Sequence, residues 1–217
     1  MNNKIIVISG ADRNRYNAFK NHKKYCVKHS IDYQFHYSEN LPNPYFTKCY
    51  AILDSFKKGY DKVLWVDDDV FFINLAWNCN SIYNQYTEEV IVTQGRTNKK
   101  SGTTLFNNGI MFIRNTPAMY NLFSSIPKIK KITLKENWNK EWGPCEGNDQ
   151  PRMIYYTQTY FPEKVKILPY PGFNAHEITF KQQKNFLETK PPFVHITGQN
   201  KKGKLERFRR NTGINLP

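Results

Sequence analysis

Short apolar runs alternate with stretches whose apolar residues recur every three or four positions from Lys4 to Ser125. Lys4–Ser9 is a compact apolar run closed by Gly10, which predicts a buried strand and a tight turn. Arg15–His29 carries Tyr16, Phe19 and Cys26 among polar residues and predicts a helix, and Tyr33–Tyr37 alternates as a strand does. Pro42 and Pro44 interrupt the chain before Phe46–Lys58, where Tyr50, Ala51, Leu53 and Phe56 fall at helical spacing. Lys62–Val66, Glu89–Thr93, Gly109–Ile113, Val165–Leu168 and Phe193–Ile196 predict further strands, and Pro117–Ile126 and Asp149–Tyr160 predict helices. Lys128–Asn148 has weak periodicity, two Trp, Gly143 and Pro144, and predicts a long functional loop. The basic stretch Lys201–Arg210 is compatible with a closing helix.

Strands that alternate with helices imply a mostly parallel sheet covered on both faces. The expected fold class is therefore α/β, with a parallel central sheet flanked by helices. In such sheets ligands gather at the carboxyl ends of strands, here after Ser9, after Val66 and after Ile196. The 217 residues suffice for one domain with a core, without an internal repeat or a low-complexity linker. We expect that domain to divide into two halves, residues 1–105 and residues 106–217.

Composition adds two restrictions. Net charge is +14, which favours anionic partners, yet no nucleic-acid motif accompanies the basic clusters at Lys128–Lys131 and Lys201–Arg210. Nucleic acid is not an expected partner. Cys26, Cys49, Cys79 and Cys145 include no Cys-x-x-Cys pair. Their even number permits two disulfides, but at this size free thiols are the simpler expectation. The first strand begins too early for a leader before it, and no run approaches the ~20 apolar residues of a membrane helix. A soluble cytoplasmic protein is expected, or one domain of a longer chain.

Asp67-Asp68-Asp69 is the most informative segment. Four apolar residues drive Val63–Val66 into the core, and three carboxylates follow without a buffer. Adjacent carboxylates raise one another's pKa unless a cation neutralises them, and hard divalent ions prefer oxygen ligands. Mn²⁺ or Mg²⁺ is the expected cofactor. Asp67 and Asp69 share a face of an extended segment, so both can approach one metal, or one can hold the metal while the other holds a ribose. A polar turn closing a strand is the plain alternative. A metal held by few carboxylates shares its shell with ligand phosphates, and a diphosphate leaving group fits that role.

Val63-Leu-Trp-Val-Asp67-Asp-Asp69 resembles the Asp-x-Asp strand end of retaining glycosyltransferases with the GT-A fold, of the galactosyltransferase type. Further segments match in order: Asn21-x-x-x-Tyr25-Cys26-x-x-His29, Phe46-Thr-Lys48, Phe106-Asn107-Asn108-Gly109, Asn148-Asp149-Gln150 and His195-x-x-Gly198-x-x-Lys201. Where relatives often continue with Pro-Trp after the last motif, this chain has Lys202-Gly203. The resemblance implies a UDP-sugar donor and a glycan, lipid-linked or glycoprotein acceptor, with residues 1–105 as the nucleotide-binding half and residues 106–217 as the half that meets sugar and acceptor. It implies Asp67, Asp69 and His195 as metal ligands, and Lys201 and Gly198 at the diphosphate. Lys48 and Asn107 would face the donor, and Asp149 and Gln150 would lie beneath the sugar as catalytic candidates.

Each residue also has a structural reading. His195 can be a satisfied core histidine, Lys48 and Lys201 solvated lysines, Asn107 a turn residue, and Asp149 a helix cap. By the strand-end rule Ser9, Gly10 and Asp12 touch base and ribose, and Asp68 joins the donor contacts. The resemblance further implies retention of configuration, the departing diphosphate taking the acceptor's proton while Gln150 or Asp149 stabilises positive charge. An inverting route would need a base such as Glu146 or Asp149. A domain that binds nucleotide sugars without catalysis, a basic nucleic-acid binder and a metal-dependent nuclease or phosphatase are the competing classes.

Overall fold

A computed structural model describes residues 4–11, 16–39, 41, 43–98, 102–145, 149–182, 191–198 and 200–217. The strands are β1 (Ile5–Ala11), β2 (Asp32–Tyr37), β3 (Lys62–Val66), β4 (Val70–Phe72), β5 (Val90–Thr93), β6 (Thr97–Asn98), β7 (Gly102–Thr103), β8 (Asn107–Arg114), β9 (Val165–Leu168), β10 (Asn174–His176) and β11 (Phe193–His195). The helices are α1 (Ala18–His29), α2 (Thr47–Lys57), α3 (Asn80–Gln85), α4 (Pro117–Ser125), α5 (Lys131–Asn137), α6 (Asp149–Tyr160), α7 (Glu177–Gln182) and α8 (Lys201–Thr212).

The central sheet has the order β2-β1-β3-β8-β5-β9. β1 pairs in parallel with β2 and β3, and β5 with β9, while β8 runs antiparallel to both β3 and β5. One reversed strand thus sits in an otherwise parallel sheet. That reversal has a consequence for chemistry. It brings the start of β8 to the carboxyl end of β3, so Asp67 N donates to Gly109 O at 2.8 Å. Asn107 and Asn108 therefore begin a buried strand and do not form a free turn.

A second sheet, β10-β11-β4, was not evident from periodicity, because each strand has only three residues. β11 pairs antiparallel with β4, placing His195 opposite Val70. Asp67–Val70 is the turn that carries the chain from one sheet to the other, closed by Val70 N donating to Asp67 O at 3.1 Å. Ile196 N then donates to Asp69 O at 2.9 Å, tying the two strand ends together.

α1 explains one of the sequence motifs. Asn21 exchanges hydrogen bonds with the backbone of Phe72 at 2.9 and 2.7 Å, and His22 Nε2 meets Val70 O at 2.7 Å. Tyr25 stacks on Phe72 at 3.7 Å between ring centroids and accepts from Cys79 N, and His29 reaches Leu75 O. These residues complete the exposed side of β4, a short strand that lacks a second sheet neighbour, and so brace the turn from behind.

Two expectations need correction or limits. The first helix starts at Ala18, and residues 12–15 lie outside the described part. The segment expected as a loop from 128 contains α5 and a 3₁₀ turn at Lys140–Trp142. Its period was illegible because α5 buries a single residue, Leu134, and the rest is held by a Trp138–Trp142 edge contact and Trp138 Nε1 donating to Gly143 O. All four cysteines are free, three of them buried. Among the described residues no helix is long and apolar enough to cross a membrane.

Candidate active site

The carboxylates leave β3 in different environments. Asp67 Oδ1 accepts from Trp65 Nε1 at 2.7 Å and lies 3.4 Å from Lys48 Nζ. Lys48 itself is buried in the first turn of α2, and its ammonium also reaches Asn108 O at 2.8 Å and Asp149 Oδ2 at 3.0 Å. Its three donors therefore have three acceptors. Asp69 turns the other way. It lies 3.1 Å from His195 Nε2 and pairs with Lys201 Nζ at the start of α8. Asp68 lines the cavity beside them.

The charges follow from these contacts. Burial raises the Asp67 carboxyl, and Asp69 adds to that, so Lys48 only partly compensates. Burial also opposes charge on Asp69, but His195 and Lys201 outweigh it and hold this carboxyl well below the usual range. Burial opposes charge on Asp149 as well, and Lys48 with Asn108 reverses the direction. Burial works against protonated His195, and Asp69 more than offsets it, raising its pKa.

One carboxylate oxygen each from Asp67 and Asp69 and a nitrogen of His195 lie within 4.8 Å of one another. Oxygen, oxygen and imidazole form a donor set suited to Mn²⁺ or Mg²⁺. The floor of this cluster is Gly109, where a Cβ would stand 2.4 Å from His195 Cε1 and 3.1 Å from Asp67 Oδ2. Only a residue without a side chain lets β8 pass this close. The residues present therefore fit a divalent cation.

Asn174 was not anticipated. Its Oδ1 lies 3.1 Å from His195 Nδ1, and its Nδ2 donates to Asn107 Oδ1 at 2.8 Å. With Nδ1–H donating to Asn174, Nε2 is the nitrogen that faces Asp69: protonated, it donates to that carboxylate, and on losing the proton it would offer its lone pair to a cation. Asn107 Oδ1 also accepts from Gly109 N at 2.9 Å, so this side chain is fixed from two sides. Its Nδ2 lies 3.5 Å from Gln150 Oε1, which also accepts from Asn108 N at 3.3 Å. Asn108 Nδ2 meets Asp149 Oδ2 at 2.9 Å. The first turn of α6 is thus docked on the start of β8. A polar residue within the short run Phe173–His176 was the one signal that pointed to Asn174.

An open cavity of about 490 Å³ lies in front of Asp67 and Asp68. Gly10 and Ala11 at the end of β1, Tyr45 and Lys48 supply much of its wall, and Asp149 reaches its inner end. A Cβ on Gly10 would meet His36 O at 2.8 Å and Thr47 Cγ2 at 2.9 Å, so β1, β2 and α2 converge only on a glycine. Ser9 is fully buried in β1 and does not line the cavity. Asp12, Glu146 and Asn148 lie outside the described residues. Gly198, with φ +77, shapes the turn before α8 and stands beside Lys204.

The sequence profile described as nucleotide-diphospho-sugar transferase matches residues 6–208. No curated protein matches the chain. Among solved structures, a glycosyltransferase involved in glycosylation of the major capsid of PBCV-1 superposes with a TM-score of 0.69 at 15% identity, over 95% of this chain and 99% of that one. The glycosyltransferase GlyE of Streptococcus pneumoniae gives 0.55 at 17% identity, over 98% of this chain and 60% of that one. A putative glucose-1-phosphate thymidylyltransferase from Bacillus anthracis gives 0.51 at 10% identity, over 99% and 97% of the two chains. At these identities the likeness is one of fold.

Proposed function

The chain belongs to the nucleotide-diphospho-sugar transferase family, and from that premise we propose that it is a metal-dependent glycosyltransferase. It moves a hexose (glucose, galactose or a deoxyhexose) from a UDP-sugar to a glycan, lipid-linked or glycoprotein acceptor, with retention of configuration. The observation that carries this reading is the Asp67–Asp69–His195 cluster over Gly109, opening onto a cavity large enough for a nucleotide.

Gly10, Ala11 and Tyr45 form the side of the cavity for base and ribose, and Asp68 extends its polar wall toward the ribose hydroxyls. Mn²⁺ or Mg²⁺ held by Asp67, Asp69 and His195 would supply Lewis-acid neutralisation of the charge left on the departing diphosphate. Lys201 stands beside the cluster as a point charge for the same phosphates. Lys48 acts differently from the donor contact expected of it. With its donors taken by Asp67, Asp149 and Asn108, it aims those groups.

Asn107 and Gln150 present amide groups toward the place of the sugar ring. Asp149 is buried, paired with Lys48 and held as a carboxylate of low basicity. That makes it a poor base for an inverting attack and favours the retaining route, in which the acceptor's proton passes to the leaving phosphate. The Gln150 carbonyl dipole then faces the positive charge at the anomeric carbon.

Calorimetric titration of UDP, UDP-glucose and UDP-galactose with and without Mn²⁺ tests this reading. Binding that needs the metal, weakened about a hundredfold or more in Asp69→Asn, is the expected result. Equal binding with and without Mn²⁺ would remove the cation from the proposal. Metal-dependent binding without sugar transfer or release of UDP would reduce the chain to a donor-binding domain.

A further inference from the structure

A second cavity, of about 290 Å³, opens between α7, α8 and the segment that follows β5. Its charged lining is three cations, Arg96, Lys204 and Arg207, against one carboxylate, Glu177. The volume is near the lower end for small-molecule sites, roughly one sugar unit. No part of the donor reading uses it.

Its position ties it to the metal cluster. Lys204 lies one turn of α8 beyond Lys201, the residue that holds Asp69. Lys204 Nζ donates to Thr197 O, and Thr197 Oγ1 lies 3.1 Å from His176 Nδ1. The His176 ring stands 5.4 Å from the His195 ring. The cavity is walled by α7 and α8, whereas the first is walled by β1 and α2, and the two share no lining residue.

Its polar groups are unequally satisfied. Glu177 Oε1 pairs with Lys204 at 3.2 Å, yet Glu177 Oε2 is buried with no hydrogen-bond partner. A buried carboxylate oxygen without a donor costs free energy, and a ligand hydroxyl would recover it. Arg96 and Arg207 are exposed, and among the described residues neither has a carboxylate partner. Two guanidinium groups beside one hydroxyl-seeking carboxylate describe a ligand that carries both hydroxyls and a negative group.

We propose that this cavity is a second ligand site, apart from the donor cavity, and that it takes an anionic saccharide. Glu177 Oε2 accepts from a sugar hydroxyl, and Arg96 and Arg207 hold the anionic substituent. A phosphorylated sugar and a uronic acid share this chemistry.

The test titrates the whole chain with glucose, glucose 6-phosphate, glucuronic acid and inorganic phosphate, and repeats the series with the Arg96→Ala/Arg207→Ala double variant. Both side chains are exposed, so the variant should fold. The expected result is that at least one anionic sugar binds about tenfold tighter than glucose, and that the double variant loses this advantage but keeps the glucose affinity. The phosphate and carboxylate arms identify which anion is preferred. Equal affinity for glucose and both anionic sugars overturns the proposal, as does an unchanged preference in the double variant. Inorganic phosphate binding as tightly as glucose 6-phosphate would also overturn it, leaving an anion hole and no sugar site. The UDP–Mn²⁺ titration separates the two readings. UDP binding without any anionic-sugar preference sinks only this proposal. Anionic-sugar binding without UDP binding sinks only the donor reading.

Discussion

Two lysines flank the acidic turn, and they are built differently. Lys48, on the α2 side, is buried, contacts two carboxylates and a carbonyl, and lies 5.5 Å from the centroid of the Trp65 ring. Lys201, on the α8 side, has a quarter of its side chain exposed, pairs with one carboxylate and borders the Tyr16 ring. Asp69 would keep His195 without Lys201, whereas Asp149 is ion-paired and hydrogen-bonded by Lys48, with Arg152 as a second positive charge acting on it. The same residue type therefore serves as a fixed strut on one side and as an exchangeable counter-ion on the other. Burial, more than charge, sets which.

The largest effect should come from removing the strut. Lys48→Met leaves Asp67 and Asp149 buried without the ammonium they share, and a broken buried pair costs about 3–5 kcal/mol. Chemical denaturation at neutral pH should show that loss. The comparison sharpens with pH. The Asp149 carboxyl is held low in the folded protein, so its pairing contributes stability above about pH 3.9, which is lost as pH falls through the folded value. In Lys48→Met the carboxyl is instead destabilised by burial, and protonation relieves it. The two stability curves should therefore differ most near pH 7 and approach one another in acid. A gap of constant size from pH 7 to pH 4 would show that Lys48 acts by packing.

A smaller effect is expected midway between the lysines. Gly109→Ala places a Cβ where His195 Cε1 now stands, 2.4 Å away, with Asn107 Oδ1 at 2.9 Å. The ring must turn out of the cluster, because β8 is held in register by β3 and β5. Mn²⁺ affinity should fall about tenfold or more, the size of effect seen when a ligand's support is removed. Unchanged affinity would mean that His195 does not ligate.

These contrasts were only partly legible in the sequence. Asp67–Asp69 could be singled out because they follow a short apolar strand, and the carboxyl end of a strand is where chemistry collects, whereas His195 and Lys201 also needed the resemblance to a His-x-x-Gly-x-x-Lys motif. Gly109 and Lys48 could be named as motif positions, but their roles could not. Both roles depend on β8 running against its neighbours, which no local period encodes. Asn174 and the second sheet escaped for a related reason. Three-residue strands are too short to show alternation, and they exist because β4, β10 and β11 cover one another and α1 covers the rest. Ser9 was singled out as a strand end, yet β1 continues for two residues past it and carries the contact to Gly10 and Ala11.

The smallest stability effect, and the sharpest test of the contrast, belongs to Lys201→Met. Its ammonium is partly solvated, so water recovers much of what the ion pair supplied, and His195 still balances Asp69. The stability loss should be about 1 kcal/mol or less. Affinity for UDP in the presence of Mn²⁺ should nevertheless fall about tenfold, because a lysine that can leave Asp69 is one that can turn to a phosphate. The two measurements pull in opposite directions for the two lysines, with stability dominated by Lys48 and phosphate affinity by Lys201. If Lys201→Met destabilises the fold as strongly as Lys48→Met and leaves UDP affinity unchanged, both are struts, and the exchangeable charge at this site has to be sought elsewhere on α8.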